Sequence, residues 1–303
     1  MVFKYLPTFG GYTIKHFNLK IFTTRAELSG YLAEQKLAFQ TIGLVPTMGA
    51  LHAGHLSLIS QALKQNDLAV CSIFVNPTQF NDPKDLEKYP RPIDTDIEKL
   101  NGVGCHILFM PAVSEMYSED EEWHIDLNGL DSILEGKIRP GHYQGVTQIV
   151  KKLFDTVMPN EAFFGQKDYQ QFLVINKMVR KYNLPLKLVM CPIVREDDGL
   201  AMSSRNIHLS EVEHQQALAL FKALNLAEML FQSKTVVEIK DEVSAFLTGQ
   251  QGVILEYFQI CDAEALMPAS NKKDGSLVAL IAARIGAVRL IDNVILQPKL
   301  KIY

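Results

Sequence analysis

Two histidines three residues apart, His52 and His55, follow directly on the run Leu44-Val45-Pro46-Thr47-Met48-Gly49. An apolar run that breaks at a glycine and restarts as a helix-forming stretch reads as a strand–turn–helix unit. In a parallel sheet such a turn lies at the carboxyl end of its strand. Free backbone N–H groups and the positive end of the helix dipole favour a phosphate there. Gly49 and Gly54 would let backbone approach the ligand without a Cβ in the way. Both imidazoles would sit on one face of the first helical turn, within reach of phosphate oxygens. A proton on a ring would neutralise charge that develops there. An isolated His-x-x-His is more often a plain helix start, and a metal site lacks a third ligand at a useful spacing.

Four further stretches carry groups suited to the same chemistry. "IFVNPTQF" (residues 73–80) offers two neutral amides, Asn76 and Gln79, that suit a substrate bearing hydroxyls and a carboxylate; by itself it is an Asn-Pro turn. "LEGKIRPGHYQGV" (134–146) mixes Glu135, Arg139 and His142 with glycines, and alone it reads as a charged loop. "FFGQKDYQQ" (163–171) repeats the strand–glycine–charge–helix order and brings Lys167, Asp168 and Gln171 to a second helix entrance, where Asp168 could simply be an N-cap. "GLAMSSRN" (199–206) puts two hydroxyls and Arg205 on a loop able to close over a pyrophosphate, or merely to lead into a capped helix. Each stretch alone is weak; five on one chain in this order are specific.

These groups need a scaffold, and the apolar pattern supplies one. Residues 42–47, 68–76, 106–111, 161–165 and 186–190 read as strands, and 55–66, 94–102, 146–157 and 168–183 as helices between them. Near-continuous apolar strands alternating with helices imply a Rossmann-like α/β domain built on a parallel sheet covered on both faces. Behind Pro192 the texture changes to two helices (about 210–231 and 236–247) and three strands (253–260, 276–285, 287–296). A smaller α+β domain over 193–303 is therefore expected to follow an N-terminal domain over 1–192, with a cleft between them.

Bulk composition narrows the function classes. The chain has 303 residues, 48% of them hydrophobic, enough for two domains. Thirty basic residues against thirty-four acidic ones give a net charge of −4, which argues against a dedicated nucleic-acid or membrane-surface binder. Cys71, Cys105, Cys191 and Cys261 form no Cys-x-x-Cys pair and read as reduced thiols of a cytoplasmic protein. The N-terminus has lysines but no secretory apolar core, and the longest apolar run, 277–283, is too short to cross a bilayer.

Taken together, "PTMGALHAGH", "FVNPTQF", "YPR" (89–91), "LEGKIRPGHYQGV", "FGQKDYQQ", "MSSRN" and "ARIGAVRLIDN" resemble the pantoate–β-alanine ligases, which belong with the HIGH-motif adenylate-forming and nucleotidyl-transferring enzymes. The resemblance runs from about residue 20 to the C-terminus and leaves 1–17 as an extension. Gln166 stands where many members have Glu, and Tyr143 where Phe is common.

The resemblance implies that ATP, accompanied by Mg²⁺, adenylates (R)-pantoate and that β-alanine then displaces AMP. It implies an ATP loop of Met48, Gly49, Ala50, Leu51, His52, Ala53, Gly54 and His55, with His55 as proton donor and His52 its companion. It assigns Gln79 and Gln171 to pantoate, Gln79 also to β-alanine, and Asn76 to the same pocket. Gly165, Gln166, Lys167 and Asp168 would hold ribose and phosphates, Val194 the adenine, and Met202, Ser203, Ser204 and Arg205 the phosphates from a lid. Lys167 and Arg205 join the histidines as catalytic groups, and the enzyme is expected to be a homodimer. Another HIGH-motif nucleotidyltransferase is the nearest rival. A tRNA synthetase would need a tRNA-binding appendage, and a cytidylyltransferase has no use for the amides of "FVNPTQF". A catalytically silent nucleotide-binding module would have no need for His52, His55, Lys167 and Arg205.

Overall fold

The computed structural model describes residues 19–118, 121–272 and 275–297; the expected extension at 1–17 lies outside them. The first half runs β1 (Lys20–Phe22), α1 (Arg25–Leu37), β2 (Ile42–Thr47), α2 (Ala53–Gln65), β3 (Leu68–Ile73), α3 (Pro83–Lys88), α4 (Ile93–Val103), β4 (Ile107–Phe109) and α5 (Val113–Met116). It continues through α6 (Leu134–Ile138), α7 (His142–Val157), β5 (Glu161–Gly165), α8 (Tyr169–Lys181) and β6 (Lys187–Cys191). The second half holds α9 (Glu211–Leu230), α10 (Val236–Thr248), β7 (Val253–Asp262), β8 (Leu277–Ile285) and β9 (Val288–Leu296).

Strands β1 to β6 form one parallel sheet in the order β1-β4-β3-β2-β5-β6. Alternate residues feed opposite faces, as strand geometry requires. Leu44 and Val70 join the core under α7 and α8, while Val45 and Cys71 join the core under α2 and α4. Both faces are covered, which explains why these strands read as unbroken apolar runs. The strand order reverses between β2 and β5, and an open α/β sheet collects its ligand at such a point.

Strands β7, β8 and β9 make a separate antiparallel sheet on which α9 and α10 pack. Ser210 and Thr235 start the two helices, each in a reciprocal cap with the Glu three residues on. The result is the α/β architecture with a smaller α+β unit that the apolar pattern implies. All four cysteines are free and buried.

Three local readings differ from the structure. Strand β3 ends at Ile73, because Pro77 cannot donate to a ladder and starts a 3₁₀ turn, Pro77–Gln79. The segment read as a charged loop is largely helical: α6 and then α7, which begins at His142. Strand β1 and helix α1, whose apolar stripe is only Leu28 and Leu32, went unread.

Candidate active site

The turn after β2 is held from outside itself. Gly49 and Ala50 both take left-handed backbone, at φ 82° and 49°. A Cβ on Gly49 would stand 3.0 Å from Ile73 Cγ2 and 3.1 Å from Asp96 Oδ2. Asp96, fully buried on α4, accepts the N–H of Ala50 at 2.8 Å and that of Leu51 at 2.7 Å. Lys99 donates to the Leu51 carbonyl at 2.5 Å. The turn therefore splits the expected ATP loop: Leu51 is core and Ala53 is exposed, while Met48, His52, Gly54 and His55 line a cleft of about 220 Å³.

His52 is the N-cap of α2 and precedes its first turn, with Nδ1 accepting the Gly54 N–H at 3.1 Å. His55 Nδ1 in turn accepts the His52 N–H at 3.4 Å, and the rings lie 4.1 Å apart. Because both Nδ1 atoms accept, both neutral rings carry their proton on Nε2. Burial and the nearby Lys167 and Lys99 hold His52 at about 4; burial and His52 hold His55 well below its usual range. The free protein thus presents two Nε2–H hydrogen-bond donors, where the sequence led us to expect a ring with a proton to give. Gly54 makes room for this arrangement, since a Cβ there would lie 2.8 Å from the His52 ring.

The amides after β3 divide the work. Asn76 is buried with its polar atoms taken up by protein: it donates to Gln79 Oε1 and the Gly145 carbonyl, and accepts from Tyr117 at 2.6 Å and Thr78 at 3.2 Å. It lines the cleft but serves as a support for Gln79, whose own Nε2 faces only the Met48 sulfur, at 3.1 Å. Gly145 lets α7 approach this turn; a Cβ there would sit 2.4 Å from the Thr78 carbonyl oxygen. His142 Nδ1 donates to the Gln79 carbonyl at 2.8 Å, and Arg139 contacts both that carbonyl and His142 Nε2.

Beyond β5, Gly165 faces open space, and Lys167, Asp168 and Gln171 line the cleft. Asp168 is exposed and makes no capping bond, so its carboxylate is not consumed by α8. Gln166 turns away to Asn293, whose amide donates to the Gln166 and Lys167 carbonyls at 2.9 Å each. Asp292 beside it pairs with Arg195 at 2.7 Å, and Arg289 binds Glu135 through two bonds of 2.6 and 2.7 Å. Thus β9 docks the second sheet against the β5 turn. The loop over the cleft brings Val194, Met202, Ser203, Ser204 and Arg205 to its rim; Ser204 meets the hydroxyl of the half-buried Tyr89, and Arg205 lies 3.8 Å from Asp85. At the base of that loop Glu196, Asp198 and His214 gather, and His214 is already paired with Asp198 at 2.7 Å.

The expected site residues therefore converge, except that Gly49, Ala50, Leu51, Ala53 and Gln166 do not line the cleft. Four groups that shape it went unread: Asp96, Lys99, Asn293 and the Glu135–Arg289 pair. Asp96 left a signal, since it interrupts the apolar stripe Ile93, Ile97 and Leu100 on α4. Opposite the polar groups, Phe74, Val146, Ile149, Val150, Leu153 and Phe164 form an apolar wall.

A phosphate-ready turn at the switch point of a parallel sheet, beside amides and an apolar wall, defines an α/β nucleotide-binding enzyme that acts on a small organic acid. A family model described as pantoate-beta-alanine ligase matches residues 20–295, and the chain belongs to that family. The pantothenate synthetase of Porphyromonas gingivalis is 45% identical over 277 residues, covering 91% of this chain and 99% of its own. That of Thermotoga petrophila is 45% identical over 280 residues, covering 92% and 100%. The crystal structure of pantothenate synthetase from Thermus thermophilus superposes with a TM-score of 0.86 at 38% identity, covering 91% of this chain and 99% of that one. The ligase of Francisella tularensis, crystallised with beta-gamma ATP and beta-alanine, gives 0.76 at 33%, covering 92% and 98%.

Proposed function

We propose that this chain condenses (R)-pantoate with β-alanine, driven by ATP, through a pantoyl-adenylate. The observation that carries the reading is the meeting of two Nε2–H donors, Lys167 and the Gln79 and Gln171 amides in one apolar-walled cleft. A pantoate carboxylate oxygen attacks the α-phosphorus of ATP, and the bond to the β-phosphate oxygen breaks to release pyrophosphate. His52, His55, Lys167 and, from the rim, Arg205 stabilise the charge that gathers on the phosphates. A ring that takes up a proton as the polyanion binds must give up its Nδ1 cap to do so. In this reading Val194, which lines the cleft, stacks on the adenine, and Gly165, whose backbone faces open space, takes the ribose.

Gln79 and Gln171 hold the pantoate hydroxyls and carboxylate, with its methyl groups against the apolar wall. The β-alanine amine, approaching past Gln79, then attacks the acyl carbon and AMP leaves. The rim loop and the docked second sheet keep water from the acyl-adenylate. Magnesium travels with ATP: Asp168 is the single carboxylate among the described lining residues, which suits a cation held mostly by phosphates and water.

The chain divides in this reading near Pro192 into a substrate-binding half, 1–192, and a lid-bearing half, 193–303. Four free buried thiols favour a cytoplasmic enzyme, and among the described residues no helix is long and apolar enough to cross a membrane. A homodimer completes the reading, tested by the mass of the chain in solution. For the pocket, Gln79→Ala or Gln171→Ala should raise the pantoate KM and lower kcat with ATP affinity nearly intact, each bond being worth about 1–3 kcal/mol. Loss of ATP binding in Gln171→Ala, with pantoate kinetics unchanged, would refute the pocket assignment.

A further inference from the structure

The turn that carries Lys167 is held by a distant part of the chain. Lys167 sits in a short 3₁₀ turn, Gln166–Asp168, that leads into α8, and neither the turn nor α8 has a side-chain cap of its own. The Lys167 side chain lines the cleft, and among the described residues its ammonium forms no ion pair. What places it is therefore its backbone. That backbone is gripped by Asn293, a buried residue of β9 that donates to the Gln166 and Lys167 carbonyls at 2.9 Å each. Its oxygen accepts from Gln166 Nε2 at 3.1 Å, so both N–H donors and the acceptor of the Asn293 amide are spent on this one turn.

The preceding residue, Asp292, holds the rim loop. Its buried carboxylate takes the Arg195 guanidinium through bonds of 2.7 and 3.1 Å and also accepts the Asn293 N–H at 2.8 Å. Arg195 donates to the Gly199 carbonyl at 3.1 Å and lies 4.8 Å from the centre of the Phe221 ring on α9. It pairs with Ala201 in a backbone bridge, and beside it the Met202 N–H donates to the Val194 carbonyl at 3.0 Å. These bonds close the base of the loop from which Met202 to Arg205 extend. Successive side chains of a strand leave on opposite sides, so two neighbours on β9 can serve two partners. Earlier on the same strand Arg289 is paired with Glu135 of α6, which anchors β9 itself.

We propose that Asp292 and Asn293 are positioning residues for the attack on the α-phosphorus. Through Arg195 on one side and the Gln166 and Lys167 carbonyls on the other, they set the rim loop and Lys167 in one register. A disturbance of either grip is then felt at both sets of phosphate contacts. The inference rests on the ligase reading above. Neither side chain lines the main cleft, so both act through the groups they hold and not on the nucleotide.

The test is a set of double-mutant cycles read by pantoate-dependent pyrophosphate–ATP exchange, with melting temperatures recorded for every variant. Asn293→Ala should lower exchange about 10²-fold and raise the ATP KM, while the pantoate KM stays within about threefold of normal. In a Lys167→Ala enzyme the same substitution should cost less than about threefold, because the group it aims is gone. Asp292→Asn leaves Asn293 in place and should lower exchange about tenfold with the same split between substrates. Combined with Lys167→Ala, its loss should fall short of the product of the separate losses by about threefold or more. An Asn293→Ala loss that persists in full without Lys167 would overturn the proposal and make Asn293 a docking contact only. Equal rises in the ATP and pantoate KM would overturn it in favour of a general loosening of the cleft. Should Asn293→Ala fail to fold, the Asp292→Asn cycle decides alone, and additive losses there overturn the coupling. Absence of exchange in the unaltered enzyme would remove the ligase reading and this inference with it; normal exchange there with additive losses removes this inference alone.

Discussion

Replacing Asp96 by Asn is a sharp test of how the nucleotide turn is built. The carboxylate accepts two backbone N–H groups, from Ala50 at 2.8 Å and Leu51 at 2.7 Å, inside a fully buried site. An amide oxygen can keep one of them, and its NH₂ group would then confront the other. Losing a charged acceptor and stranding one buried donor amounts to about 3–4 kcal/mol if the turn holds its shape. It has reason to move, because Ala50 sits at φ 49°, a conformation worth about 1–2 kcal/mol against it. Relaxation would carry the His52 cap and the Nε2–H donors with it. We expect kcat/KM for ATP to fall about 10²-fold, some 2.7 kcal/mol, in adenylation assays, and the melting temperature to fall by about 5 °C. The pantoate KM should change far less. Adenylation within threefold of normal and an unchanged ATP KM would refute the idea that Asp96 positions the turn.

Two further outcomes follow from the geometry around Gln79. Gly145→Ala drives a Cβ to 2.4 Å from the Thr78 carbonyl oxygen, so α7 must retreat from the Pro77–Gln79 turn; we expect about 1–3 kcal/mol of lost stability and a pantoate KM raised more than the ATP KM. His142 titrates at 6.5 when unfolded and at about 4 when folded, so the unfolded chain binds the extra proton. Its contribution is therefore complete above pH 6.5 and falls away as the pH drops, by about 3 kcal/mol near pH 4. Denaturant titrations at pH 7 and pH 4.5 should show this loss in the unaltered protein and a smaller one in His142→Asn; equal losses would contradict the shifted pKa.

Long amphipathic segments and doubly buried strands were legible because burial on both faces leaves an unmistakable run, as in Leu68–Ile73. The site was legible where glycine, proline and charge fall together at strand ends, as in the turns after β2 and β5. What escaped acts at a distance along the chain. Asp96 reaches back 46 residues to Ala50, and Asn293 reaches 127 residues to Gln166. Nothing local in either stretch encodes its target, although Asp96 on an apolar stripe announces that some buried donor must meet it. The roles of Asn76 and Gly54 also changed on folding. Each faces the cleft, but their types are set by Gln79 and the His52 ring, which they support.

The central claim is that this cleft makes an acyl-adenylate before any amine arrives. The most direct measurement is exchange of labelled pyrophosphate into ATP, with pantoate present and β-alanine absent. The account predicts pantoate-dependent exchange in the unaltered enzyme, and a loss of about 10²–10³-fold in His55→Ala, whose melting temperature should barely change. Exchange that strictly required β-alanine would contradict the stepwise mechanism. So would a His55→Ala enzyme that exchanged normally once folded.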